Sequence, residues 1–139
     1  METTMEQAPP ERPVPIPDEA SQPFFDAAAE GKLLLKHCAA CNRYLAPQAE
    51  FCDKCLGEAV TWREASGRGT VYSFIINHQV GHPGFAPLVP YNVIVVEVEE
   101  GPRLNSNYLG PNDELAVGMA VKVAFERAGE VIVPKWVTA

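Results

Sequence analysis

The sequence predicts a mainly β protein, and three observations carry that prediction. All four cysteines fall in two C-x-x-C pairs, Cys38/Cys41 and Cys52/Cys55, with ten residues between the pairs. Five stretches of strand composition follow between residues 71 and 137, broken by turn residues. Between these halves stands Ser66-Gly67-Arg68-Gly69, a short hinge after which the pattern becomes purely β. At 139 residues the chain has room for one domain or two very small ones. The predicted division is an extended arm over 1–20, a helix with a cysteine-clamped ribbon over 21–65, and a β domain over 66–139.

The arm is rich in proline and acid. Pro13-Val14-Pro15-Ile16-Pro17 reads as polyproline-like extended chain, because proline fixes φ and removes the backbone donor that a helix needs. Such a segment is either a loose tail or an arm laid along a partner subunit with Val14 and Ile16 as its anchors. Ser21-Gln22-Pro23 then opens a short helix: Ser21 is the expected cap, Pro23 suits the first turn, and Gly31 is placed to end it. Phe24 and Ala28 share one face at i, i+4, so that edge should be buried.

Leu33-Leu34-Leu35 leads into the first cysteine pair, Tyr44–Pro47 leaves it, and Val60–Arg63 leaves the second. Strand, knuckle, strand, knuckle, strand is the layout of a rubredoxin-like zinc ribbon. Four soft thiolates on two tight turns suit a tetrahedral Zn²⁺, with Cys38, Cys41, Cys52 and Cys55 as ligands. Iron in the same ligand set and a pair of disulfides are the competing readings. A thioredoxin-type redox pair is disfavoured, because no C-x-x-C opens a helix in a βαβ setting. Four sulfurs close the coordination sphere, so the metal is expected to be structural, not catalytic.

In the second half, strands are expected at Val71–His78, Tyr91–Glu99, Arg103–Leu109, Val121–Glu126 and Val131–Val137. Val121, Val123 and Phe125 alternate with Lys122, Ala124 and Glu126, the signature of a half-buried strand. A short helical turn around Asp113-Glu114-Leu115 fits between the third and fourth strands. Five strands with that connection fit a five-stranded Greek-key barrel, the OB-fold, with a plain sandwich as the competing architecture.

The net charge of −7 includes no basic stripe, which weighs against nucleic-acid binding. Apolar runs such as Val93-Ile94-Val95-Val96 are far too short to span a bilayer, so no membrane association is expected. Met1–Gln7 lacks a basic region followed by an apolar core, which reads as a cytoplasmic protein. Neither a G-x-S-x-G elbow, an H-E-x-x-H helix nor a phosphate-cradling glycine loop is present.

Taken in order, Pro23-Phe24-Phe25, Gly31-Lys32-Leu33, the two knuckles, Ser66–Ser73, Pro90–Val93, Glu100–Leu104 and Val117–Val121 resemble a known set. The chain is similar over about residues 21–137 to bacterial and archaeal zinc-ribbon/OB-fold proteins long classed as a domain of unknown function and linked to acyl-CoA metabolism. The resemblance implies a small accessory subunit of a hetero-oligomer, with structural zinc and an acyl-CoA as ligand of the complex. Its implied partner is a catalytic subunit of thiolase or lipid-transfer-protein type (a thiolase, an acyltransferase or a steroid side-chain retro-aldol lyase), with a MaoC-type hydratase as a further partner. It implies that the partner holds the catalytic residues while this chain supports the partner and shapes the acyl-CoA passage.

The residues read alone agree with a non-catalytic role, since thiolase chemistry needs a free cysteine and a base. The loop His78–Pro90 is long for a hairpin and carries His78, His82 and Phe85, leading into Tyr91; it is the candidate surface for the partner or the pantetheine arm. Arg68 and Arg103 are the candidate contacts for CoA phosphates. Two other functions stay open at this point. One is an OB module stacking nucleic-acid bases on Tyr72, Phe74 and Tyr91; the other is a stand-alone acyl-CoA-binding protein or enzyme using the loop histidines.

Overall fold

The computed structural model of the chain describes residues 13–139; the arm before Pro13 lies outside the described residues. Helix α1 (Gln22–Ala29) comes first, followed by the strands of the ribbon, β1 (Leu34–Cys38), β2 (Arg43–Leu45) and β3 (Val60–Glu64). The second half holds β4 (Arg68–Asn77), β5 (Tyr91–Val98), β6 (Arg103–Ser106), β7 (Ala120–Ala128) and β8 (Val131–Thr138). The ribbon is an antiparallel sheet in the order β2-β1-β3, and the second sheet runs β6-β5-β4-β7-β8. The fold is therefore mainly β, with an N-terminal helix, a four-cysteine ribbon and a curled five-stranded sheet.

Pro23 starts α1 as expected, and Gly31 takes φ 80° just beyond its end. Ser21 does not cap the helix. Its hydroxyl donates to the Asp18 carboxylate at 2.7 Å and accepts from the Asp18 amide at 3.0 Å, because a preceding turn brings these groups closer than the helix amides. Ala28 is buried, and Phe24 packs on the main core and near Trp62, with ring centroids 6.4 Å apart. In the arm, Val14 lies against Gly129 in the β7–β8 turn, whereas Ile16 is 90% exposed.

Along β5 the buried positions alternate strictly as Asn92, Ile94, Val96 and Val98, the period of a strand with one face inward. β4 begins on the same principle with Val71 inward, and a bulge between Val71 and Ser73 then inserts one residue. Tyr72 and Ser73 consequently both face solvent, and Phe74 and Ile76 take the core side while Ile75 is exposed. The curled sheet closes by a single parallel bridge between Tyr108 and Trp136. There Leu109 N donates to Trp136 O at 2.9 Å and Trp136 N to Asn107 O at 3.1 Å.

β6 ends at Ser106, three residues sooner than the sequence pattern suggests. Beyond it the chain leaves β5 to reach β8, and buried Asn92 replaces the lost ladder. Its amide donates to Tyr108 O and Asn112 Oδ1, each at 2.9 Å, and its Oδ1 accepts from Tyr108 N at 2.7 Å. Asn107 completes this network by donating to Asn92 O.

One core runs through both halves. Leu33 and Leu35, at the base of the ribbon, belong to the same buried cluster as Val71, Ile94, Val96, Val121 and Trp136. Burial of each such side chain contributes roughly 1.5–3 kcal/mol. The hinge is held from both sides: Ala65 N donates to Leu33 O at 2.8 Å, and Val123 N to Gly67 O at 2.7 Å. Gly67 is required here, because its φ is 80° and a β-carbon would sit 2.8 Å from the Val123 side chain.

Candidate metal centre and ligand surfaces

The two knuckles are built alike. Each C-x-x-C turn is followed by a non-glycine residue in the left-handed conformation, Asn42 at φ 52° and Leu56 at φ 59°. Asparagine adopts that conformation with little penalty, whereas leucine pays the full steric cost. Turning the backbone this way brings all four sulfurs to within 4.8 Å of one another, with Cys38 and Cys55 Sγ 3.8 Å apart. A tetrahedron of Zn–S bonds near 2.3 Å requires sulfurs roughly 3.8 Å apart, so the donor set and its spacing fit zinc. Cys38 and Cys52 are buried, Cys41 is half-buried and Cys55 is exposed.

Four sulfurs this close cannot all ionise without a cation. The hydrogen bond with Cys55, burial and the neighbouring sulfurs push the Cys41 thiol up to about 12. Backbone N–H groups of Cys55 and Lys54 pull Cys52 down to about 6 against the effect of its burial. A divalent cation resolves the conflict, and with four sulfurs around it no position is left for water or substrate. Buried His37 is not a fifth donor: its Nε2 lies 3.1 Å from Asn42 Oδ1 and its ring packs edge-on against Tyr44.

The candidate ligand residues divide into two groups. Phe85 lies in a six-residue 3-10 turn, Pro83–Leu88, that gives shape to the loop after β4. Its ring stands 5.4 Å from that of Tyr91 and 6.4 Å from that of His82. His82 starts the turn by accepting from Gly84 N at Nδ1, 2.9 Å away. Together with Leu88, Asn107 and Leu109, Phe85 and Tyr91 line a cleft of about 600 Å³. His78 is exposed at the end of β4.

Arg68 and Arg103 do not join this group. Arg103 pairs with Glu97 in the β5–β6 ladder, six residues along β5 from Tyr91, which places the arginine end roughly 20 Å away. Its guanidinium covers the Tyr72 ring at 3.7 Å, and Nε donates to Glu97 Oε2 at 3.2 Å. Arg68 is exposed and faces Lys122 in the β4–β7 ladder. Of the three aromatics considered as stacking residues, Phe74 is turned to the core and the Tyr72 face is covered by Arg103. The three therefore do not form a base-stacking platform.

Two features escaped the sequence reading. One is a cleft of about 520 Å³ where helix, ribbon and curled sheet meet, with Phe24, Lys36, Trp62, Leu104 and Trp136 in its lining. Lys36 Nζ sits 4.6 Å from the centre of the Trp62 ring and donates to Ala49 O. Three elements distant in sequence create that cleft, so no local pattern announces it. The other is the ribbon tip, where Phe51 is 52% and Leu56 70% exposed. The Cys-Leu-Gly run at 55–57 was a usable signal for it, as a leucine where a knuckle favours glycine or asparagine.

A four-sulfur ribbon fused to a curled five-stranded sheet defines, as a class, a zinc-ribbon/OB-fold protein. Residues 25–61 match the ChsH2 rubredoxin-like zinc ribbon domain and residues 62–126 the ChsH2 C-terminal OB-fold domain. The chain belongs to this ChsH2/DUF35 family. It is 37% identical over 111 residues to a probable enoyl-CoA hydratase alpha subunit of Thermomonospora curvata, covering 79% of this chain and 34% of that protein. It is 30% identical over 95 residues to a DUF35 domain-containing scaffold protein of Methanocaldococcus jannaschii, covering 67% of each. Among solved structures, the Ltp2-ChsH2(DUF35) aldolase contains a chain that matches with a TM-score of 0.77 and 32% identity, over 90% of this chain and 98% of that one. The chain thus spans about a third of the hydratase subunit's length but nearly all of the aldolase component.

Proposed function

We propose that this chain is a non-catalytic accessory subunit of an acyl-CoA enzyme complex, supporting a catalytic partner and helping to shape the acyl-CoA site. The observation that carries this reading is the near end-to-end match to one component of a two-part aldolase. The similarity to part of a probable enoyl-CoA hydratase alpha subunit supports an acyl-CoA enzyme as the setting. The partner in this reading is a thiolase-fold or lipid-transfer-protein-like subunit, with a MaoC-type hydratase as the further candidate.

The chain's reactive side chains support the same reading. Cys38, Cys41, Cys52 and Cys55 hold a structural zinc. Of the three histidines, His37 is buried against Asn42 and His82 starts a turn, which leaves His78 alone at a strand end. The chain's contribution is geometric. The metal cross-links the knuckles, the core holds ribbon and barrel together, and the proposed surfaces are displayed at defined positions. Within this reading the arm is residues 1–20, the helix with ribbon 21–65 and the OB domain 66–139, the last two meeting at the hinge and sharing one core. The Phe85–Tyr91 cleft, with His78 and His82 beside it, meets the partner or the pantetheine arm. Arg68 and Arg103 serve the phosphate end of the ligand. Phe51 and Leu56 add an apolar contact for the partner at the ribbon tip.

Affinity purification of the tagged chain from its native host tests the proposal. The expected result is stoichiometric recovery of a thiolase-like or hydratase-like chain, with acyl-CoA turnover in the complex. Deleting residues 81–88 should abolish assembly or turnover; normal values for both would remove the loop from the account.

A further inference from the structure

The four sulfurs of the ribbon are not equivalent, and the difference is set by backbone amides. Cys38 Sγ accepts from Cys41 N at 3.4 Å and Cys52 Sγ from Lys54 N at 3.4 Å. In the second knuckle the left-handed turn at Leu56 aims the next amide, Gly57 N, at Cys55 Sγ, again at 3.4 Å. The first knuckle makes the same turn at Asn42, yet the equivalent amide belongs to Arg43, which has already entered β2 opposite Cys38. Among the described residues, Cys41 Sγ is therefore the one knuckle sulfur with no backbone N–H directed at it.

Accessibility narrows the comparison further. Cys38 and Cys52 are 0% exposed, so a reagent in solution reaches only half-buried Cys41 and exposed Cys55. Of these two, Cys55 has its anionic charge stabilised by an amide, and a hydrogen bond to a charged group lowers the energy of the lone pair that attacks. Among the described residues, no backbone amide stabilises the Cys41 sulfur in this way. We propose that Cys41 is the modification site of the zinc-loaded ribbon toward soft electrophiles, reacting ahead of the more exposed Cys55. With an alkene such as N-ethylmaleimide, the Cys41 sulfur pair forms the C–S bond and the alkene electrons move onto the adjacent carbonyl. The resulting enolate then takes a proton from water. The product is a neutral thioether, a poor ligand, so modification at this one position loosens the clamp.

This inference rests on the zinc assignment made above, and the experiment separates the two. The zinc-loaded full chain is treated with substoichiometric N-ethylmaleimide, with peptide mapping by mass spectrometry and zinc release followed by a chromogenic chelator. A preparation holding no zinc would overturn the assignment itself. With one zinc per chain, the Cys41 adduct should form roughly tenfold faster than the Cys55 adduct, with zinc released in step. Equal rates, or Cys55 reacting first, would overturn the inference while leaving the zinc site intact.

Discussion

The ribbon and the barrel reach order by different means. The ribbon's own buried cluster consists of Cys38, Leu45 and Cys52, and two of those three belong to the four-sulfur cluster that fits zinc. The barrel cluster holds eight residues between Val71 and Trp136, joined by Leu33 and Leu35 from the base of the ribbon. The tip of the ribbon accepts a strained, exposed leucine, whereas the barrel seals its weakest edge with a buried asparagine network. A region held by a metal needs few apolar contacts and can leave its surface free; a region held by packing gains from pairing buried polar groups, as Asn92 is paired here.

The sharpest way to break that contrast is to remove a sulfur. Cys52→Ser should release the metal and unfold the ribbon, since structural zinc contributes on the order of 10 kcal/mol to such sites. Metal analysis should fall from one zinc per chain to none. Hydrogen exchange should show rapid loss of protection over residues 34–64, with the barrel weakened but still protected. Asn92→Ala attacks the other side. It leaves the Tyr108 amide and carbonyl without their side-chain partners, at a cost of roughly 2–4 kcal/mol in urea unfolding, while zinc content stays at one per chain.

How much of this was legible in the sequence follows from the same division. The knuckles were legible because metal chemistry fixes residue type and spacing together, and β5 and β7 because alternation reports one buried face. The bulge in β4 was not, since Tyr72 and Ser73 continue a strand-like composition while the parity of the face changes beneath it. The cap at Ser21 failed because Asp18 competes for its hydroxyl. Barrel closure at Tyr108 and Trp136, which are 28 residues apart, leaves no local trace. Of the candidate ligand residues, the structure gathers His82, Phe85 and Tyr91, and separates Arg68 and Arg103 from them.

Smaller effects sharpen the comparison. Leu56→Gly relieves a left-handed leucine that is mostly exposed, so the isolated chain should gain about 1 kcal/mol in thermal or urea unfolding. If the ribbon tip is a partner contact, the same variant should recover less partner in a pull-down. The smallest expected effect is at Asp18, whose carboxyl is held below the usual range by hydrogen bonds from the Ser21 side chain and amide. Its stabilising contribution is complete above the ordinary carboxylate pKa and is lost as pH falls through the lowered folded value. Asp18→Asn should therefore lower the melting temperature slightly at pH 7 and leave it unchanged near pH 2.

The central claim is that this polypeptide contributes a metal-clamped framework to chemistry carried out by another chain. Assaying acyl-CoA turnover by the purified zinc-loaded chain, alone and after adding the co-purified partner, tests it most directly. The account predicts no turnover alone and restored turnover with the partner; steady turnover by the isolated chain would contradict it.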